Sequence, residues 1–347
     1  MAAYTTIDNP ELYFQVKLYT GNGTDDTSIT LDGEEDMQPD MIWFNCRSAA
    51  EARVIHDSPR GIHERLFPGA EDAEGTATNA LQSFNSNGWT MGVNDQLNSN
   101  TKTYVAWCWN TQGGAGSSNT DGGINTTTTS VNTTSKFSIS TFTGTGSAST
   151  IGHGLGVAPN MLIVKRRESE SWQTLHMGIS GEAEKYMTLH SNAAVVDSAT
   201  SWNDTDPTST VFSVGTSNST NASSGTYVAY CWADVQGYSK FGQYEGNGNA
   251  DGTFVYTGFR PAWIMTKSID STSEWHIFDD QREGYNVDND ALTPEGATEL
   301  TTDMIDILSN GFKCRIATDP NVAETYVYAA FAKAPLVNSE GVPCNAR

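Results

Sequence analysis

One order of features recurs three times along this chain of 347 residues, and that repeat constrains the fold more than anything else in the sequence. An aromatic-x-Gly-x-Gly run opens each copy: YTGNG from Tyr19, FTGTG from Phe142 and YEGNG from Tyr244. A proline (Pro39, Pro159, Pro261) and an apolar stretch (MIWF, MLIV, WIMT) follow. Next come VIHDSPRG, WQTLHMGI and WHIFDDQREG, then NGWTMG, TVFSVG and NGFKCR, and finally TYVAWCW, TYVAYCW and TYVYAAF. The closing Tyr lies 85, 85 and 82 residues after the opening aromatic.

In the closing run apolar residues occupy both parities, so it should be a central strand covered on both faces. The first two copies place a small Ala106 or Ala229 before a bulky Trp107 or Tyr230. The third inverts this to Tyr328 and Ala329, which implies that the layers beside it repack together. Cys108 and Cys231 fall where the third copy has Ala330, so they read as small buried side chains, not reactive thiols. The connecting stretches are crowded with Gly, Ser, Thr and Asn, a composition typical of all-β chains.

The expected fold is therefore all-β, with three tandem β-sandwich modules of jelly-roll or lectin-like form at 20–112, 137–235 and 236–335. An N-terminal arm at 1–19 and a C-terminal tail at 336–347 lie outside them, and such arms often dock on a neighbouring subunit. Residues 113–136, almost wholly Gly, Ser, Thr and Asn, read as a linker or as extended edge segments, which would leave the first module loosely attached. The Gly-x-Gly runs read as hairpin turns of II′ type, both glycines supplying left-handed angles because β-branched Thr145 resists them.

Net charge is −22, which disfavours a partner bound through nucleic-acid phosphates. The basic cluster Lys165-Arg166-Arg167 reads as a solvated strand end. The start lacks the features of a secretory signal and no window has the apolar length of a membrane span, so synthesis in a cytoplasm without membrane insertion is expected. Five scattered cysteines, with no Cys/His ligand spacing, imply neither a disulfide framework nor a metal site.

No phosphate loop, calcium loop, nucleophile elbow or metal triad is found, and no cofactor is expected. His153, within GHGLG, reads as a loop histidine. Asp57 and Asp279 are each followed three residues later by an arginine, Arg60 and Arg282. Glycosidase carboxylates are one reading, but the second copy has His176 and no arginine there, which favours a structural Asp to Arg contact. Trp202 has no counterpart in the other copies. Beside Asp204 and Asp206 it forms the candidate glycan site, a ring to stack on a sugar and carboxylates to bond its hydroxyls; the other reading is a Trp that covers the end of the sandwich.

The repeated YTGNG, Pro-led strand, NGF and TYVAW module, with AYTTIDNPELYFQ and YCWADVQGYSKFGQYEGNG, resembles tail-fibre and virion structural proteins of tailed bacteriophages of marine bacteria, from Tyr4 to Pro335. That resemblance implies a non-enzymatic virion protein, assembled in the host cytoplasm with other virion proteins as a symmetric homo-oligomer, often a trimer. A tail-fibre adhesin for host surface polysaccharide is the favoured role. A capsid decoration protein and a tailspike-type glycan hydrolase are the rivals.

Overall fold

The computed structural model describes residues 5–335 apart from 113, 180, 283–285, 287–289 and 297–298, so the tail at 336–347 lies outside it. Strands hold 42 % of the chain and helices 5 %, which makes the protein all-β.

Each repeat builds one large antiparallel sheet on the same plan. An opening strand (Phe14–Thr20, Phe137–Thr143, Ser239–Glu245) pairs with the closing strand (Thr103–Trp109, Thr226–Trp232, Thr325–Pro335). The closing strand pairs in turn with the Pro-associated apolar strand (Met41–Cys46, Met161–Arg166, Phe259–Ser268), and that strand with a flanking strand (Val54–Asp57, Trp172–His176, His276–Asp279). A smaller sheet formed around the fourth repeated motif accompanies each large one.

The two-sided apolar pattern of the closing strands now has a cause. Inward faces of all three large sheets meet in one shared core: Trp107 and Trp109, Tyr230 and Trp232, Ala329 and Phe331. The opposite faces, Ala106 and Cys108, Ala229 and Cys231, Tyr328 and Ala330, fill three separate cores between each large sheet and its smaller partner. Trp109 shows how the repeats meet, since its ring lies edge-on to Trp232 (6.4 Å) and Trp263 (5.6 Å), one from each of the other repeats. Such pairs add about 0.5–1.5 kcal/mol each beyond their buried area.

Several expectations are corrected by this arrangement. The first repeat is not loosely attached, because its tryptophans form much of the core it shares with the other two. The arm docks within the chain: Phe14 stacks on Phe331 (5.2 Å), Glu11 pairs with Lys333 (2.7 Å), and Phe14 already belongs to the first opening strand. Within the supposed linker, Thr128–Asn132 is a strand added to the second large sheet, and Ile124 bridges Ile151. The reading of that segment as extended edge structure is the one that fits. Lys165 is buried, not solvated, with Nζ donating to the carbonyls of Arg166 (2.6 Å) and Glu168 (3.0 Å). Burial lowers its pKa to about 8.

Candidate functional site

The Gly-x-Gly runs are not two-residue hairpins. They carry the chain from the large sheet of a repeat toward its small one, pinned by a buried asparagine that precedes the closing strand. The Oδ1 atoms of Asn98, Asn221 and Asn321 accept from the backbone N–H of Asn22 (2.9 Å), Thr145 (2.8 Å) and Asn247 (3.2 Å). Their Nδ2 atoms donate across the loop to Thr24 O and Gly92 O, to Ser147 O and Gly215 O, and to Asn249 O and Ile316 O.

Only the second glycine of each run is left-handed: Gly23 (φ 65°), Gly146 (76°) and Gly248 (63°). At the first, a Cβ would lie 2.3, 2.4 and 1.9 Å from the carbonyl oxygens of Ser99, Ala222 and Val322, so close backbone approach demands glycine there. The expectation that both glycines supply positive φ is thus half right. Beneath the loop the opening aromatic stacks on the closing Tyr, as in Tyr19 on Tyr104 at 5.1 Å and Phe142 on Tyr227 at 5.0 Å.

Asp57 and Asp279 make the expected contact with arginine. Each Oδ2 accepts from the Nε of Arg60 or Arg282 at 2.6 Å, and each Oδ1 accepts the backbone N–H of the same arginine at 3.0 Å. Their further partners lie in other repeats. Tyr230 of the second repeat donates its hydroxyl to Asp57 (2.6 Å), and Trp107 of the first donates its indole N–H to Asp279 (3.0 Å). Arg60 continues to Glu74 (2.8 Å) and thence to Arg167, while Arg282 continues to Glu299 (2.7 Å) and thence to Arg47.

The junction between the second and third repeats is built differently at every one of these positions. His176 replaces the aspartate, and its Nδ1 accepts from the Gly178 N–H (3.0 Å), so Nε2 carries the proton and donates to the Tyr328 carbonyl (3.0 Å). Burial lowers its pKa to about 4, keeping the ring neutral. Ile179, Val195 and Ile269 stand where the other junctions have arginine, glutamate and arginine, and they pack on the shared core. Ala329 sits where Trp107 and Tyr230 supply a donor, since the histidine bonds backbone instead. The inverted closing strand is therefore the counterpart of a changed junction.

Trp172 and Trp275 cross junctions as well, their indole N–H groups donating to Phe67 O and Ala70 O and to Thr188 O, all near 3.0 Å. Arg53 takes the equivalent place in the first repeat, where it helps line a cleft of about 280 Å³ shared with Glu295 of the third. Between the second and third repeats a cleft of about 400 Å³ is lined by Ile179, Lys185, Val195 and Ile269 among others.

The proposed sugar platform is not assembled. Trp202 ends a single helical turn, Ala199–Trp202, and its side chain is buried at 1 % exposure in the core of the second repeat. A ring that stacks on a sugar must offer an open face, and this one has none. After it, Asn203 and Asp204 are both left-handed (φ 55° and 44°), which turns the chain so that Asp204 and Asp206 reach the surface while the indole points inward. Asp206 accepts the Ala183 N–H at 3.3 Å. His153, too, is buried, with Nδ1 accepting from Leu155 N and Nε2 on Thr208 O. Among the described residues no three His, Cys, Asp or Glu side chains are grouped to hold a metal ion, and no helix is long and apolar enough to cross a membrane.

Sequence reasoning missed the three clasp asparagines. Their signal was positional, six residues before Tyr104 and Tyr227 and five before Tyr326, and the abundance of asparagine hid it. No curated protein matches the chain. A family model described as a domain of unknown function, DUF7483, matches residues 9–335 and so takes in all three repeats; the chain belongs to that family.

Proposed function

We propose that this chain is a non-enzymatic structural protein of a tailed-phage virion, carried on the tail fibre and facing host surface glycan. The observation that carries the reading is the use made of its recurring polar groups. Asp57, Asp279 and His176 are the residues a hydrolase would draw on, and all three are buried and bonded between repeats. Both carboxylates are buried and already accept from an arginine, a backbone N–H and a neighbour's hydroxyl or indole, so neither is presented to a substrate. These groups fix the repeats in one arrangement, which is what a building block requires.

A capsid decoration protein would use the same construction, so location separates the two readings. Gold-labelled antibody against the protein, viewed by electron microscopy on purified particles, should decorate the tail fibres. Labelling spread over the head, or no labelling of the particle, overturns the proposal.

A further inference from the structure

We propose that the outer face of the third repeat's small sheet, built on Phe254 and Tyr256, is a binding site for a run of neutral hexopyranose residues. Phe254–Tyr256 is the edge strand of that sheet, with Val255 turned into the core. The two rings are 46 % and 55 % exposed, and no other aromatic side chain among the described residues is both so large and so exposed. At positions i and i+2 they share one face, about 6.8 Å apart along the strand.

The rest of that face suits a sugar. Across the sheet, Phe254 is followed by Lys313 and Asp306, and Tyr256 by Gly311 and Leu308. Gly311 adds no side chain beside the Tyr256 ring, the place of its Cβ being taken by the Val255 carbonyl (2.0 Å). Lys313 pairs with Asp251 at 2.5 Å and Arg315 with Asp306 at 3.3 Å, so hydrogen-bonding groups of both signs border the rings. A pyranose lays its C–H face on an aromatic ring and turns its hydroxyls outward to such groups.

The first repeat has a polar face at the matching place. The register places Ser28 where Phe254 stands and Thr90 where Lys313 stands, with Ser83 and Asn85 at Asp306 and Leu308. There the Ser28 and Thr90 hydroxyls meet at 2.9 Å and Asn85 donates to Thr90, a closed polar network. In the second repeat Thr150 is the counterpart of Phe254, and it is covered by the chain's own segment, with Gly123 N–H donating to Thr150 Oγ1 and Ile124 N–H to Thr150 O. Only the third repeat sets two exposed aromatic rings on this face among the described residues.

Charge selects among occupants. The face carries two cations and two anions, and the chain is at −22, so nothing draws an acidic polysaccharide. A protein partner would have to desolvate both ion pairs, whereas sugar hydroxyls replace the water around them. That the glycan belongs to a host surface rests on the function proposed above; the binding itself does not.

The test is binding of the full chain to an array of glucose, mannose and galactose oligosaccharides, with alginate oligosaccharides as the acidic control, beside the Phe254→Ser/Tyr256→Thr double variant. Both side chains are exposed, so the variant should keep the parent melting temperature, measured in parallel. Binding of at least one neutral series, weakened about tenfold or more in the variant, supports the site. No neutral series bound, equal binding by the variant, or a preference for alginate overturns it. A protein found on the tail fibre that binds no neutral sugar sinks this inference alone, and a sugar-binding protein absent from the particle sinks only the functional proposal.

Discussion

Asn221 concentrates the logic of the clasp in one side chain. It is fully buried, holds the Thr145 N–H through Oδ1, and caps the Ser147 and Gly215 carbonyls through Nδ2. Truncation strands the buried Gly215 carbonyl, at about 1–3 kcal/mol, and loses two part-buried bonds to the exposed Thr145 and Ser147, at about 0.5–1.5 kcal/mol each. Asn221→Ala should therefore lower stability by about 2–4 kcal/mol in urea unfolding, and a loss below about 1 kcal/mol would mean the loop is held by other means. Trp202 shows why a residue's role is hard to read in isolation. Its uniqueness among the repeats suggested a site, but the two left-handed residues that follow it decide where the ring goes; Asn and Asp take that angle more readily than other non-glycine residues, and the sequence alone does not show where they do.

At the scale of strands and loops, the sequence carried much of the outcome. The closing strands were legible because burial on both faces writes itself as apolar residues at both parities. The Asp to Arg contact was legible because three residues separate the pair. What crosses from one repeat to the next was not, because no local pattern ties Asp57 to Tyr230, 173 positions away. Tyr230→Phe tests that link: it keeps the ring and removes the donor to a charged acceptor, at about 1.5–3 kcal/mol. Combined with Asp57→Asn, the loss should be less than the sum of the single losses, since both remove one interaction. Additive losses would show that the hydroxyl and the carboxylate act independently.

For the whole molecule, the recurring motifs appear as three large sheets of one plan, yet how those sheets meet was not legible in the sequence. Tandem sequence suggested a second and third repeat packed together and a first held loosely. The fold instead joins the first repeat to the second through Asp57, the second to the third through His176, and the third back to the first through Asp279. The shared core closes that circuit, and Phe14 of the first repeat seals it against Phe331 of the last. A repeat removed from it would expose one entire face of its closing strand. The family match across 9–335 is consistent with a unit of that size. Differential scanning calorimetry of the full chain tests this most directly. One shared core predicts a single transition whose calorimetric and van't Hoff enthalpies agree, and two or three resolved transitions, each with the enthalpy of about 100 residues, would contradict it.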